Sequence, residues 1–144
     1  MPEDLRQQLT ELEQWAIANQ SDARSDAIAF WSLKIPAILA SACAGVVAHF
    51  DLTTVSVIAG AVASVCVIID GVHPRGMLRN LHLRAYHDIR ILSTNMVVLW
   101  RSRNSGANGD HTARQIIRNA EKERQRIAAY IRDAETSLKY KSEA

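Results

Sequence analysis

The chain has 144 residues, which suits one domain but is too few to surround two helices that are apolar on every face. Its net charge of +2 hides an acidic beginning and a basic end. The residues before Lys34 include 2 Arg against 6 Asp and Glu, whereas those after Gly71 include 14 Lys and Arg against 7 Asp and Glu. Cys43 and Cys66 lie in apolar runs without metal-ligand spacing, so we expect neither a zinc site nor a disulfide.

The first 30 residues predict cytoplasmic helices with one amphipathic seam. Apolar residues with spacings of four, three and four form this seam, which consists of Leu5, Leu9, Leu12 and Ala16. Ser21 or Asp22 is expected to cap a second helix that continues into the following apolar segment. Pro36 would then kink that helix or lie in its first membrane turn. The acidic start is not typical of a cleavable signal peptide, so an uncleaved anchor is expected.

Residues 31–70 predict a transmembrane helical hairpin with spans at about 34–50 and 55–70. From Ile35 to Ile69 the only full charge is Asp51. A helix that is apolar on every face is either a membrane span or the centre of a large protein. The first span is about 25 Å long, slightly short of a hydrocarbon core of about 30 Å. Either the bilayer must thin locally or the helix must extend into the flanking residues. The alternative is a soluble bundle with this hairpin at its centre.

The flanks of the hairpin predict its orientation. Trp31 and Lys34 precede the first span and Arg75 and Arg79 follow the second, as aromatic and basic residues do at a membrane interface. The connecting hexapeptide, residues 49–54, contains no Lys or Arg. Because basic residues accumulate on the cytoplasmic side, both termini are predicted to be cytoplasmic and the turn to lie outside.

Small residues recur in both spans, where they allow helix backbones to approach closely in lipid. The expected span-packing residues are Ala40, Ser41, Ala44, Gly45, Gly60 and Ser64. The pairs Ala40/Ala44 and Ser41/Gly45 lie on neighbouring faces, whereas one hairpin needs only one such face. The surplus predicts contact between copies of the chain, and therefore a homo-oligomer in the membrane.

After the hairpin, the sequence predicts a juxtamembrane helix at 71–101, a flexible linker at 102–110 and a heptad helix at 111–144. Asp110 or Thr112 is expected to cap the last helix. The association seam of this helix contains Ile117, Arg124, Ile127, Ile131 and Leu138. The seam either packs on the chain's own N-terminal helix or joins copies of the chain, and the heptad pattern favours neither alternative.

Catalytic and cofactor motifs are missing from the sequence, which has no Gly-rich phosphate loop, nucleophile elbow or His-Glu-x-x-His zinc motif. Tyr86, His87 and Asp88 are adjacent, so on a helix they point in different directions and do not form a triad. We therefore expect neither enzyme activity nor a cofactor. The arginines of the tail alternate with acids, which favours a solvated face over direct nucleic-acid contact. Arg75 and Arg79 are better placed for anionic lipid headgroups.

Three stretches carry a resemblance to a known family: Phe30-Trp31-Ser32-Leu33-Lys34-Ile35-Pro36, Ala44-Gly45-Val46-Val47-Ala48 and Leu81-His82-Leu83-Arg84-Ala85-Tyr86-His87. With these stretches and its layout of helices, the region 27–100 resembles the SLATT superfamily. Its members are two-transmembrane effectors associated with bacterial nucleotide-signalling and retron defence systems. The resemblance implies an all-α, pore-forming effector of the bacterial inner membrane that has no catalytic site.

The resemblance also implies a separate sensor, because we expect no sensor domain within these residues. A reverse transcriptase with its DNA product, or a nucleotide second-messenger system, would fit that role. The leading hypothesis is therefore a membrane-disrupting effector that is silent in the membrane, or in a soluble complex, until its partner triggers it. A constitutive scaffold without toxicity is the main alternative. A soluble binding module is the third, and it requires a partner that buries the hairpin.

Overall fold

The computed structural model describes residues 1–50, 52–72, 74–103 and 109–143, and almost all of these are helical. The described residues contain no strand, so the predicted all-α class is confirmed. The four helices, in chain order, are α1 (Glu3–His49), α2 (Thr53–Val72), α3 (Arg75–Arg103) and α4 (Gly109–Glu143).

Helix α1 is one continuous helix of 47 residues, which corresponds to a length of about 70 Å. The expected second helix start at Ser21 or Asp22 is therefore wrong. Both side chains are exposed inside the helix instead of capping an N-terminus, so neither competes with the helical hydrogen bonds. Pro36 also lies within α1. The amphipathic N-terminal segment and the first apolar segment are consequently two parts of the same rod.

The connections are shorter than the sequence predicts. After α1, the N–H groups of Phe50 and Leu52 both donate to the carbonyl of Val47, at 3.1 and 3.3 Å, and α2 begins at the next residue. Only residues 73 and 74 separate α2 from α3. Asp51 and His73, which belong to the predicted breaks, lie outside the described residues.

The predicted linker at 102–110 is also narrower than expected. Helix α3 continues to Arg103 and α4 begins at Gly109, before both of the proposed caps, Asp110 and Thr112. Residues 104–108 of the linker lie outside the described part of the chain.

The first half of α1 forms a three-helix bundle with α3 and α4. Helix α3 runs antiparallel to α1, because Glu13 lies 4.0 Å from Arg90 whereas Asp26 lies 2.9 Å from Arg75. Helix α4 returns along α3. The core of the bundle consists of buried residues from all three helices: Leu5, Leu12, Ala16, Ile89, Met96, Trp100, Ala113, Ile116 and Ala120. None of these core residues comes from α2 or from the second half of α1.

The second half of α1 and helix α2 pack against each other outside that core. Ser56 Oγ donates a 2.9 Å hydrogen bond to the carbonyl of Ala44, and Lys34 Nζ lies 2.8 Å from Asp70 Oδ2. These two contacts join opposite ends of the helices, so the helices are antiparallel. Both helices are long and apolar enough to cross a membrane.

Candidate functional site: an exposed apolar helix pair with a polar base

The helix pair exposes apolar side chains on all its outer faces. None of the most apolar 18-residue segment of α1 is buried, and only 6% of the corresponding segment of α2 is buried. The exposed side chains on the two helices are Ile35, Ile38, Leu39, Val46, Val55, Val57, Ile58, Val62, Val65, Val67, Ile68 and Ile69. A continuous apolar surface of this kind marks a membrane or protein interaction site. The structure thus contradicts the alternative in which the hairpin is the buried centre of a soluble bundle.

The small residues of the spans divide into two groups. Ala40, Ala44 and Gly60 are half-buried on the faces where α1 and α2 meet, beside the buried Ala37 and Ala63. The second group is exposed and consists of Ser41, Gly45 and Ser64. Ala40 and Ala44 therefore contribute to packing within the chain, whereas Ser41, Gly45 and Ser64 are left exposed.

The two glycines of the spans are not required for the contact between α1 and α2. A Cβ atom added at Gly45 or at Gly60 would have no neighbouring heavy atom within 4 Å. Space for a larger side chain therefore exists at both positions within a single chain. Gly45 is exposed, so any packing role of this glycine involves another molecule, whereas Gly60 is half-buried on the face towards α1.

The four expected interface anchors have different environments. Trp31 is 52% exposed on the outer face of α1. Lys34 forms the ion pair with Asp70, and its ammonium lies 5.5 Å from the centre of the Phe30 ring. Arg79 is exposed, but Arg75 is paired with a carboxylate of α1. Trp31 and Arg79 are thus free to contact lipid, whereas the other two are engaged within the chain.

A polar cluster that was not predicted from the sequence lies at the base of the helix pair. Asp26, whose side chain is only 9% exposed, receives a 2.9 Å hydrogen bond from Arg75 Nη1. The other carboxylate oxygen of Asp26 lies 3.8 Å from Nε2 of His82. The opposite ring nitrogen of His82 lies 3.4 Å from Oδ1 of the buried Asn19, and Glu135 of α4 approaches Nε2 to 3.9 Å. We call these five residues the polar base.

A heptad pattern that runs through both helices produces the polar base. On α1, residues seven apart are Leu5, Leu12, Asn19 and Asp26; on α3, they are Met96, Ile89, His82 and Arg75. The contacts Asn19–His82 and Asp26–Arg75 define an antiparallel register, which places Leu12 opposite Ile89 and Leu5 opposite Met96. The seven-residue spacing is present in the sequence. It becomes recognisable only when the polar residues Asn19, Asp26, His82 and Arg75 are counted together with the apolar residues of the seam.

Gly76 permits a close approach between α3 and α1 beside the polar base. A Cβ atom at this position would lie 3.1 Å from Cε2 of Phe30, closer than ordinary van der Waals contact. The first turn of α3 therefore packs closely against the part of α1 around Phe30, just before the apolar second half of that helix. Phe30 also stacks edge-on against Trp31, with ring centroids 5.4 Å apart.

The seam of α4 faces its own chain. Ile117 and Ile127 pack against the bundle core, and Ile131 and Leu138 are half-buried. Arg124 lies 3.5 Å from Glu11 of α1, so even the charged member of the seam has a partner within the chain. Within the chain, α4 packs mainly on α3 and only slightly on the N-terminal helix α1, which was the intramolecular partner expected from the sequence. Association between copies stays a prediction.

Comparison with known proteins adds no relative. No family model matches the chain, and the comparisons found no match among curated proteins or solved structures. Conclusions on function therefore depend on the geometry of the helix pair and the bundle.

Proposed function

We propose that the chain is a two-span protein of the bacterial inner membrane that disrupts the membrane when a separate sensor triggers it. One observation carries the proposal. A helix pair with apolar outer faces extends from a bundle that already has its own closed core. In water, that surface would require a cover that the described residues of the chain do not provide. A lipid bilayer supplies it without any further protein.

The dimensions of the helix pair support a membrane-spanning arrangement. Helix α2 has 20 residues, and the part of α1 from Phe30 to His49 is equally long, so each segment spans about 30 Å. That length equals the typical thickness of the hydrocarbon core. Both helices extend beyond the predicted limits, so the mismatch expected from the shorter predicted spans is reduced, with the ends of the segments in the interface.

The distribution of charge supports an orientation with the bundle in the cytoplasm. The bundle carries nearly all of the Lys and Arg residues, and the turn between α1 and α2 carries none. Lys34 and Asp70 would lie close to the cytoplasmic interface. Their mutual pairing is the arrangement that makes charged residues tolerable at the edge of a bilayer. Trp31 would lie at the same level, with its ring among the headgroups.

Membrane disruption by this chain requires several copies, because two helices alone cannot surround a water-filled path. The exposed small residues Ser41, Gly45 and Ser64 support such an assembly. All three are exposed, and a Cβ atom added at Gly45 meets no heavy atom of its own chain within 4 Å, which leaves room for a second hairpin. The resulting homo-oligomer would have α1 and α2 helices around its centre.

The bundle is the proposed receiver of the sensor's signal. Its outer surface includes an open groove of about 410 Å³ between α3 and α4, where Ile91, Arg84 and Tyr130 are accessible. We propose that a sensor protein or ribonucleoprotein docks on the bundle, as the resemblance to SLATT effectors implies. A reverse transcriptase with its DNA product is one candidate, and a nucleotide second-messenger system is another. Direct contact between the chain and nucleic acid is not needed for this role.

Inducible expression in bacteria tests the proposal. Membrane fractionation should recover the parent protein with the inner membrane, and a potential-sensitive dye should report depolarisation after induction. The variant Ile58→Arg with Val65→Arg places two charges on the lipid-facing surface of α2, and it should leave the membrane fraction and lose its effect. Val57→Leu is the matched control and should behave like the parent.

The same experiment separates the alternatives. A constitutive scaffold would be found in the membrane without any depolarisation, even when the proposed sensor is co-expressed and activated. A soluble binding module would be recovered outside the membrane fraction, together with a protein that covers the helix pair. Either result contradicts the proposed effector function.

A further inference from the structure

The α1–α3 seam has two chemically different halves. In the half far from the apolar helix pair, the register places Leu5 opposite Met96 and Leu12 opposite Ile89, and all four side chains are buried. In the half next to the helix pair, the polar base occupies the corresponding positions. Its buried members on α1 are Asn19 and Asp26. The line of residues seven apart thus changes from apolar to polar within two helical turns, while Ala23, Leu81 and Ala85 at the same level are also buried.

Apart from the 2.9 Å ion pair between Asp26 and Arg75, the side-chain contacts of the polar base are long. Asn19 Nδ2 donates to the carbonyl of Trp15 at 3.0 Å, so the amide oxygen is the atom that faces His82. Nε2 of His82 faces the carboxylates of Asp26 and Glu135 at 3.8 and 3.9 Å. Both ring nitrogens therefore face acceptors, but at distances longer than those of a well-formed hydrogen bond. Burial of such groups contributes less stability than apolar packing of similar volume.

We propose that the polar base is the place where the bundle opens, so that the first two turns of α3 separate from α1 while the apolar half stays closed. The role given to this opening rests on the proposed function, whereas the opening itself can be measured independently of that function. Helix α3 begins three residues after α2 ends. Separation of Arg75 and Gly76 from Asp26 and Phe30 would therefore free the adjoining end of α2 to move against α1. The polar base would couple the bundle to the helix pair.

Polar pairing at these positions also has a specific advantage over apolar packing. Buried polar contacts accept few alternative partners, so they restore one register each time the interface closes. An apolar seam over its whole length would be more stable but would not open locally. The arrangement favours a bundle that opens at one end and closes again without slipping.

Amide hydrogen exchange on the full chain in detergent micelles tests the proposal. Among the hydrogen-bonded amides of α3, those in residues 74–84 should exchange about tenfold or more faster than those in residues 86–98. Pro74, which has no amide hydrogen, and the free amides of the first turn are left out of the comparison. The paired variant Asn19→Leu with His82→Leu replaces polar contacts by apolar ones and should slow exchange in 74–84 by about tenfold. Asn80→Gln changes an exposed side chain in the same turns and should leave the exchange rates unaltered.

A second paired variant, Asp26→Leu with Arg75→Met, provides the same test if the first paired variant does not fold. Slower exchange of residues 74–84 in either folded variant supports the inference. Equal exchange of the two α3 segments in the parent, or unchanged exchange in both paired variants, would overturn it. Depolarisation is recorded separately. If the parent never depolarises cells but the exchange pattern is as expected, the proposed function fails and the inference stands.

Discussion

Lys34 of α1 and Asp70 of α2 form an ion pair, with Nζ 2.8 Å from Oδ2, at the end of the helix pair that adjoins the bundle. Together with the Ser56–Ala44 hydrogen bond near the opposite end, it fixes the alignment of two helices that otherwise meet through small apolar side chains. A polar contact at each end is sufficient to define one register along a surface with few other distinguishing features.

Removal of one member of this ion pair should destabilise the helix pair. Lys34→Met leaves the Asp70 carboxylate without its partner, and we expect a loss of about 1–3 kcal/mol in the free energy of unfolding in detergent. The double variant Lys34→Met with Asp70→Leu should recover most of that loss, because no charge is left unpaired. A double-mutant cycle by denaturant unfolding measures the coupling. Additive losses in the two single variants and the double variant would contradict the contact.

Cysteine labelling tests the proposed orientation. In a Cys43→Ala, Cys66→Ala background, Thr53→Cys at the start of α2 should react with an impermeant thiol reagent in intact spheroplasts. Ser142→Cys, near the end of α4, should react only after the membrane is permeabilised. The expected difference follows from the distribution of Lys and Arg. The reverse labelling pattern would mean that the bundle lies outside the cytoplasm.

Gly45→Leu should weaken assembly of the chain without altering the individual hairpin. Gly45 is exposed and a Cβ atom added there meets no heavy atom within 4 Å in one chain, so we expect contact with another copy to exclude the larger side chain. Gly60→Leu is expected to act in the same direction. Val57→Leu, on the exposed surface of α2, is the control. Crosslinked size in membranes and depolarisation are the measurements, and identical behaviour of all three variants would remove the argument for small-residue packing.

Charges in the α4 seam should open the bundle. Ile127→Asp with Ile131→Asp would bury two carboxylates where apolar side chains pack, and we expect a loss of several kcal/mol, roughly 2–5, in stability. Membrane insertion should survive, because α2 and the second half of α1 are unchanged. Greater depolarisation than the parent would indicate that the closed bundle restrains the helix pair, whereas an inert membrane protein would indicate that the bundle builds the active assembly. Stability and activity equal to those of the parent would contradict the inward-facing seam.

The close approach at Gly76 predicts an asymmetry between two glycines. Gly76→Leu should cost about 1–3 kcal/mol, because its side chain would collide with the ring of Phe30. Gly71→Ala should instead be neutral or stabilising by up to about 1 kcal/mol, since a Cβ there meets open space within a helix. Thermal unfolding of both variants in detergent provides the comparison. A destabilised Gly71→Ala with an unaffected Gly76→Leu would reverse the expectation.

Local pattern was sufficient to predict several features of this protein. The all-α class follows from apolar residues at helical spacing in every segment and from the scarcity of turn residues. The two membrane-length helices follow from runs such as Val55 to Ile69, which have no polar face to turn towards water. The short connection between them follows equally from its few polar residues. These features depend only on neighbours along the chain, so the sequence determines them directly.

Only the tertiary structure decided which face meets which partner. The α4 pattern did not indicate which surface it covers; within one chain, Arg124 lies beside Glu11 and Ile127 packs against the core. The caps proposed at Ser21 and Asp22 were wrong, because an uninterrupted α1 packs along α3 and gains more from continuity than from a local cap. Asp26 and Arg75 are 49 positions apart, and their pairing depends on the register of two antiparallel helices. A heptad pattern indicates that one face of a helix is covered, but not which helix covers it, because the same periodicity suits any helical partner.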